Sequence, residues 1–121
     1  MLAIILLLCL GCALQPKMIE INRSYDQREM TVGVGEVLEL SLPENPTTGF
    51  RWDFTVKPEP AFTIVRDEFE PMMSSPGKGG THHWQFKAVL SGSGAIKLEY
   101  RRPWEKDAPA AQTFGLTVRV R

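Results

Sequence analysis

The segment LELSLPENPTTGFRWDFTV, residues 38–56, carries two alternating runs on either side of a turn. Leu38, Leu40 and Leu42 alternate with Glu39 and Ser41; Phe50, Trp52, Phe54 and Val56 alternate with Arg51, Asp53 and Thr55. A period of two gives an extended chain one apolar and one polar face, the pattern of a half-buried β-strand. Between the runs stands Asn45-Pro46-Thr47-Thr48-Gly49. Pro46 locks its own φ and pushes Asn45 towards an extended conformation. Gly49 permits positive φ, so the chain can reverse before Phe50. Thr47 and Thr48 are β-branched and have few χ1 options. The expectation is a stiff loop that projects two small hydroxyl-and-methyl side chains and loses little entropy when it docks.

The same alternation extends in both directions. Met30, Val32 and Val34 precede the segment, and Phe62 with Ile64 makes a shorter run after it. Then come Trp84, Phe86, Ala88 and Leu90, next Ile96, Leu98 and Tyr100, and finally Phe114, Leu116, Val118 and Val120. Turn chemistry separates the runs: Gly33-Val34-Gly35, Pro58-Glu59-Pro60, Gly77 to Gly80, Ser91-Gly92-Ser93-Gly94, and residues 103–109. The pattern predicts an all-β, immunoglobulin-like antiparallel β-sandwich of about seven strands, and no stretch of ten residues in the folded part carries a helical stripe.

The chain has 121 residues, enough for one domain. Lys plus Arg and Asp plus Glu both number 14, so the formal net charge is zero and no basic face points to a nucleic-acid partner. The two cysteines, Cys9 and Cys12, lie in the N-terminal apolar run, so no disulfide, thiolate metal site or cysteine nucleophile belongs to the folded part. His82 and His83 are the only histidines. As neighbours on a strand they point to opposite faces, which disfavours a shared metal and predicts one half-buried and one exposed ring. Asp67, Glu68 and Glu70 read as a solvated strand end rather than a calcium or glycosidase site. No catalytic constellation stands out, and the expectation is a protein that is not an enzyme and uses no cofactor and no metal.

Two further loops carry features of their own. Pro76-Gly77-Lys78-Gly79-Gly80 would let backbone lie close against a partner, with Met72 and Met73 beside it as adaptable contact surface. Arg102-Pro103-Trp104 falls where the alternation stops, which favours an exposed Trp104, and Trp and Arg are enriched in binding hot spots. The three stretches together, Asn45 to Trp52, Gly77 to Gly80 and Arg102 to Trp104, resemble in order and spacing the loops of the chagasin family of cysteine protease inhibitors. The resemblance covers about Tyr25 to Arg121. It implies a reversible, non-covalent inhibitor of papain-like cysteine proteases whose three loops enter the active-site cleft, with Thr47 and Thr48 over the catalytic pair. The protease-binding residues so implied are Asn45, Pro46, Thr47, Thr48, Gly49, Phe50, Gly77, Gly79, Gly80, Arg102, Pro103 and Trp104. An immunoglobulin-like binding or adhesion module with no protease target, using the same loops, is the alternative. For one surface to form, all three loops must reach the same end of the sandwich.

Leu2 to Leu14 is apolar but, at 13 residues, short for a membrane-spanning helix. It reads as the hydrophobic region of an export signal. Leu10-Gly11-Cys12-Ala13 also resembles the end of a bacterial lipobox, in which Cys12 would be lipidated; a plain secretory signal and an uncleaved anchor are the alternatives. The expected organisation is a signal or lipoprotein segment at 1–14, a polar tether at 15–27, with a short first strand at Met18 to Asn22 as the alternative there, and the inhibitor domain at 28–121. The expected protein is exported, periplasmic or anchored to the outer membrane, monomeric, and in contact with membrane only through the N-terminal lipid.

Overall fold

Eight strands build two four-stranded sheets in the computed structural model, which describes residues 16–74 and 77–121. Cys12 with the rest of the apolar run, and Pro76, lie outside the described residues. The strands are β1 (Met18–Ile21), β2 (Arg28–Val32), β3 (Val37–Glu44), β4 (Arg51–Val56), β5 (Phe62–Pro71), β6 (Gly80–Ala88), β7 (Gly92–Arg101) and β8 (Gln112–Val120). One sheet runs β1-β3-β6-β5 and the other β2-β8-β7-β4. The core between them comes from the predicted alternation. Leu38, Leu40, Leu42, Trp84 and Phe86 face Trp52, Ile96, Leu98, Phe114, Leu116 and Val118, all buried.

Four details depart from the sequence-based expectation. Met18 to Ile21, read as part of a polar tether, forms β1, because Ile21 finds a place in the core and the strand can pair with β3 in parallel register. The sheets are therefore not purely antiparallel: β1 pairs with β3, and β2 with β8, in parallel. Val34 and Leu90 lie beyond the ends of β2 and β6, each 54% exposed. They continue the alternation where no facing sheet remains to bury them. The run at Phe62 extends to Pro71 and takes in the acidic residues. As an edge strand, β5 carries charge along its length, which blunts edge-to-edge association. Arg66 there reaches Glu39 of β3 and Glu68 of its own strand. Asp67, Glu68 and Glu70 are solvated as expected and lie in the last half of β5, with Glu70 one residue from its end.

The topology decides where the loops fall. Glu44 at the end of β3 pairs with Gly80 at the start of β6, and Gly80 also faces Pro71 at the end of β5. In the other sheet Arg51 at the start of β4 pairs with Arg101 at the end of β7, and Tyr100 faces Gln112 at the start of β8. The β3–β4, β5–β6 and β7–β8 connections therefore leave the sandwich at one end.

Candidate functional site

The central loop is a single 3₁₀ turn over Pro46–Thr48, closed at both ends by its own side chains. Asn45 caps it: its Oδ1 accepts from Thr47 N at 3.3 Å, and the Thr47 hydroxyl donates to it at 2.5 Å. The Thr48 hydroxyl donates to Asn45 O at 2.7 Å, and Gly49 N donates to Pro46 O at 3.0 Å. Pro46 occupies the first position of the turn, where its missing N–H costs nothing. Gly49 ends it at φ 86°, the left-handed region that favours glycine. Stiffness was expected; the use of both threonine hydroxyls inside the loop was not. What the loop offers outward is a preshaped knob rather than two free hydroxyls.

Below the knob sits a buried polar foot. Glu44, only 6% exposed, accepts from Trp52 N through Oε2 at 2.8 Å and lies 2.9 Å from His82 Nδ1 through Oε1. Asn45 N donates to the Tyr100 hydroxyl at 2.8 Å, and Trp52 Nε1 to Pro43 O at 2.9 Å. The Tyr100 ring packs between Phe50, at 5.3 Å, and Trp52, at 4.9 Å. Burying a carboxylate is costly unless its oxygens are satisfied, and here both are, so Glu44 locks the loop to two strands of opposite sheets. The sequence carries a signal for it: Glu44 stands in phase with Leu38, Leu40 and Leu42, a carboxylate in an apolar register.

The flanking loops lean on the central one. The Thr47 hydroxyl also comes within 3.3 Å of Gly77 O. A Cβ on Gly79 would stand 2.6 Å from Glu44 O and 3.0 Å from Asn45 Cβ, so only glycine lets the second loop close on the foot. Met72 N then closes that hairpin onto Gly79 O at 2.9 Å, and Gly80 begins β6. On the other side Arg102 donates from Nε to Thr48 O at 3.0 Å, holds its guanidinium 4.5 Å above the Phe50 ring, and meets Glu105 at 3.2 Å. Its charge is thus engaged within the molecule. Pro103 is exposed, and Trp104 is 68% exposed with its indole edge against the bare face of Gly49. A concavity of about 640 Å³ opens beside it, lined by Pro46, Phe50, Trp52, Phe69 and His82 among others. All twelve residues singled out in the three loops thus form or support one edge.

The histidines do point to opposite faces, but both rings are partly buried. His82 stacks on Trp84 at 4.0 Å, and His83 Nδ1 lies 2.9 Å from Ser41 Oγ. Among the described residues no group of three His, Cys, Asp or Glu side chains could hold a metal. His82 joins Glu44 on one side and Asp67, at 2.5 Å, on the other. Burial works against its positive charge, but the hydrogen bonds to Glu44 and Asp67 outweigh it, and its pKa is raised. The resulting stabilisation is fully present below the unfolded value of about 6.5 and is lost as pH rises through the folded value. Urea unfolding at pH values from about 5 to about 9 should show stability declining on the alkaline side in the wild type, and His82→Gln should flatten that decline. An identical decline in the variant would exclude His82 as its cause.

Residues 31–118 match the family model described as chagasin family peptidase inhibitor I42. The chain is 35% identical over 106 residues to chagasin of Trypanosoma cruzi, an alignment covering 84% of this chain and 96% of that protein. Its fold is similar to that of the cysteine protease inhibitor EhICP2 from Entamoeba histolytica, with a TM-score of 0.77 at 22% identity, covering 88% of this chain and 98% of that one. It is also similar in fold to PbICP-C, whose structure is in complex with falcipain-2, with a TM-score of 0.59 at 20% identity, covering 88% and 92%.

Proposed function

The chain belongs to the chagasin family of peptidase inhibitors, and we propose that it acts as a reversible, non-covalent inhibitor of papain-like cysteine proteases through the three-loop edge. The observation that carries this reading is the cross-bracing of loops distant in sequence: Thr47 on Gly77, Arg102 on Thr48, and Trp104 over Gly49. An edge already held in one shape loses little freedom on entering a cleft, and that saving favours affinity. The expected interface is about 1,600 Å², the usual size for protease–inhibitor pairs.

The turn also explains how such an edge would resist cleavage. Attack by a thiolate needs a peptide carbonyl presented at about 3 to 3.5 Å in the right direction. Here the Asn45 and Pro46 carbonyls accept hydrogen bonds inside a closed turn. The backbone offers a helical turn instead of an extended substrate, and the exposed threonines exclude water and substrate from the catalytic pair. The test is papain assayed with a small fluorogenic substrate. Expected is loss of activity with the inhibitor intact on a gel after long incubation. No inhibition would favour the adhesion-module reading, and cutting between residues 46 and 49 would exclude the non-cleavable turn.

Trp104 is the anchor of the third loop in this reading. Trp104→Ala should weaken papain binding by about 2 kcal/mol or more and leave thermal melting nearly unchanged, since the side chain is mostly exposed. A melting temperature well below wild type would show that the indole carries the fold instead.

For location, the reading is an exported monomer held at a membrane through lipidated Cys12, supported by the apolar run and the Leu10-Gly11-Cys12-Ala13 sequence. Several lipid chains on one cysteine give stable anchoring. Cys12→Ser should therefore move the protein from the membrane fraction to the soluble one and remove the lipid mass from its N-terminus. An unchanged mass and fractionation would dismiss the anchor.

A further inference from the structure

We propose that the end of the sandwich opposite the three loops is a lipid-facing surface that seats the domain on an anionic bilayer and holds the loops away from it. The proposal rests on the membrane-anchored reading above and adds an orientation and a contact surface. Val37 N donates to Lys17 O at 2.9 Å, and β1 runs parallel to β3. The chain preceding Lys17, with the apolar Leu2 to Leu14 run, thus joins the domain at the end remote from Glu44. β6 spans nine residues from one end to the other, so the loops stand about 30 Å beyond that surface at about 3.3 Å per residue.

Backbone hydrogen bonds knit this far end into one rim. Gly35 N donates to Ala88 O at 2.8 Å, Val89 N and Leu90 N donate to Ala61 O, and Val34 N reaches Arg121 O at 3.4 Å. The rim presents Val34 and Leu90, each 54% exposed, and Val89 beside them. These side chains continue the core alternation past the last pair of facing strands and have nothing to bury against. Around them stand Lys17, Lys87 and Arg121, all exposed. Two side-chain carboxylates stand against these three cations: Glu59, and Glu36, which keeps its charge while its Oε1 accepts from Gly33 N at 3.0 Å.

In a chain of zero formal net charge this is a local basic excess. Apolar side chains within a basic rim suit the headgroup boundary of anionic lipid, which attracts nearby Lys and Arg side chains. A lipid surface is favoured over a protein partner because the apolar run of the same chain leads to this end.

The experiment is hydrogen exchange on the full chain with vesicles of phosphatidylethanolamine and phosphatidylglycerol. Peptides covering residues 33–36 and 89–92 should exchange at least about fivefold more slowly on vesicles, while those covering 46–49 and 77–79 stay unchanged. Full-chain Val34→Asp with Leu90→Asp should lose that protection and keep wild-type inhibition of papain. Val34→Ser with Leu90→Ser, which adds no charge, should lose it as well. Four outcomes overturn the proposal: no association with vesicles, vesicle-bound protein with an unprotected rim, variants as protected as wild type, or protection without lipid, which would mean that a second copy or residues 1–14 cover the rim. Loss of papain inhibition in wild type and variants alike, with the lipid-dependent protection intact, would defeat the inhibitor reading and leave this one standing.

Discussion

Gly49→Val should raise the Kd for papain more than about a hundredfold, or about 2.7 kcal/mol, and lower stability as well. Two effects act at one position. Gly49 sits at φ 86°, and forcing a β-branched residue into such backbone costs on the order of 1–3 kcal/mol. The second is steric: even a Cβ would stand 2.2 Å from Trp104 Cη2, so the indole must leave its place. The central and third loops are therefore disturbed by one substitution. The measurement is inhibition of papain beside thermal melting, repeated in a Trp104→Ala background. There the steric conflict is gone and only the backbone cost remains, so Gly49→Val should cost less binding than in the wild type. Equal losses in both backgrounds would show that the contact between Gly49 and Trp104 has no part in inhibition.

Thr48→Trp should weaken binding by at least about thirtyfold, roughly 2 kcal/mol, mainly through a faster koff. Thr48 lies at the exposed apex of the turn, and an indole there meets the cleft where the reading places the catalytic pair. The turn should survive, because Thr48 N still donates to Asn45 O and Arg102 still donates to Thr48 O; both bonds are to backbone groups. Only the hydroxyl bond to Asn45 O is lost. Melting should thus fall slightly while inhibition falls steeply. If the variant folds normally and inhibits as tightly as wild type, the apex of this loop does not occupy the active site.

These two substitutions separate local chemistry from three-dimensional arrangement, and the same division runs through the whole molecule. The period-two alternation determined the strands and most of the core, since an extended chain sorts its side chains by parity wherever it lies. The choice of Pro46 and Gly49 determined that the central loop is a rigid turn, because both act through their own φ. Local pattern could not decide which strands pair. β1 was legible only as the alternative to a tether, because its one deeply buried side chain, Ile21, sits in a polar stretch, and its parallel partner is elsewhere in the chain. Parity placed Val34 and Leu90 in strands; only the tertiary structure showed that the facing sheet stops short of them. The foot of the site was likewise decided in three dimensions. Glu44, His82, Trp52 and Tyr100 come from four strands in two sheets. A buried carboxylate becomes tolerable only when folding brings the Trp52 amide and the His82 ring to its two oxygens, a condition that depends on distances in space and leaves little trace in spacing along the chain.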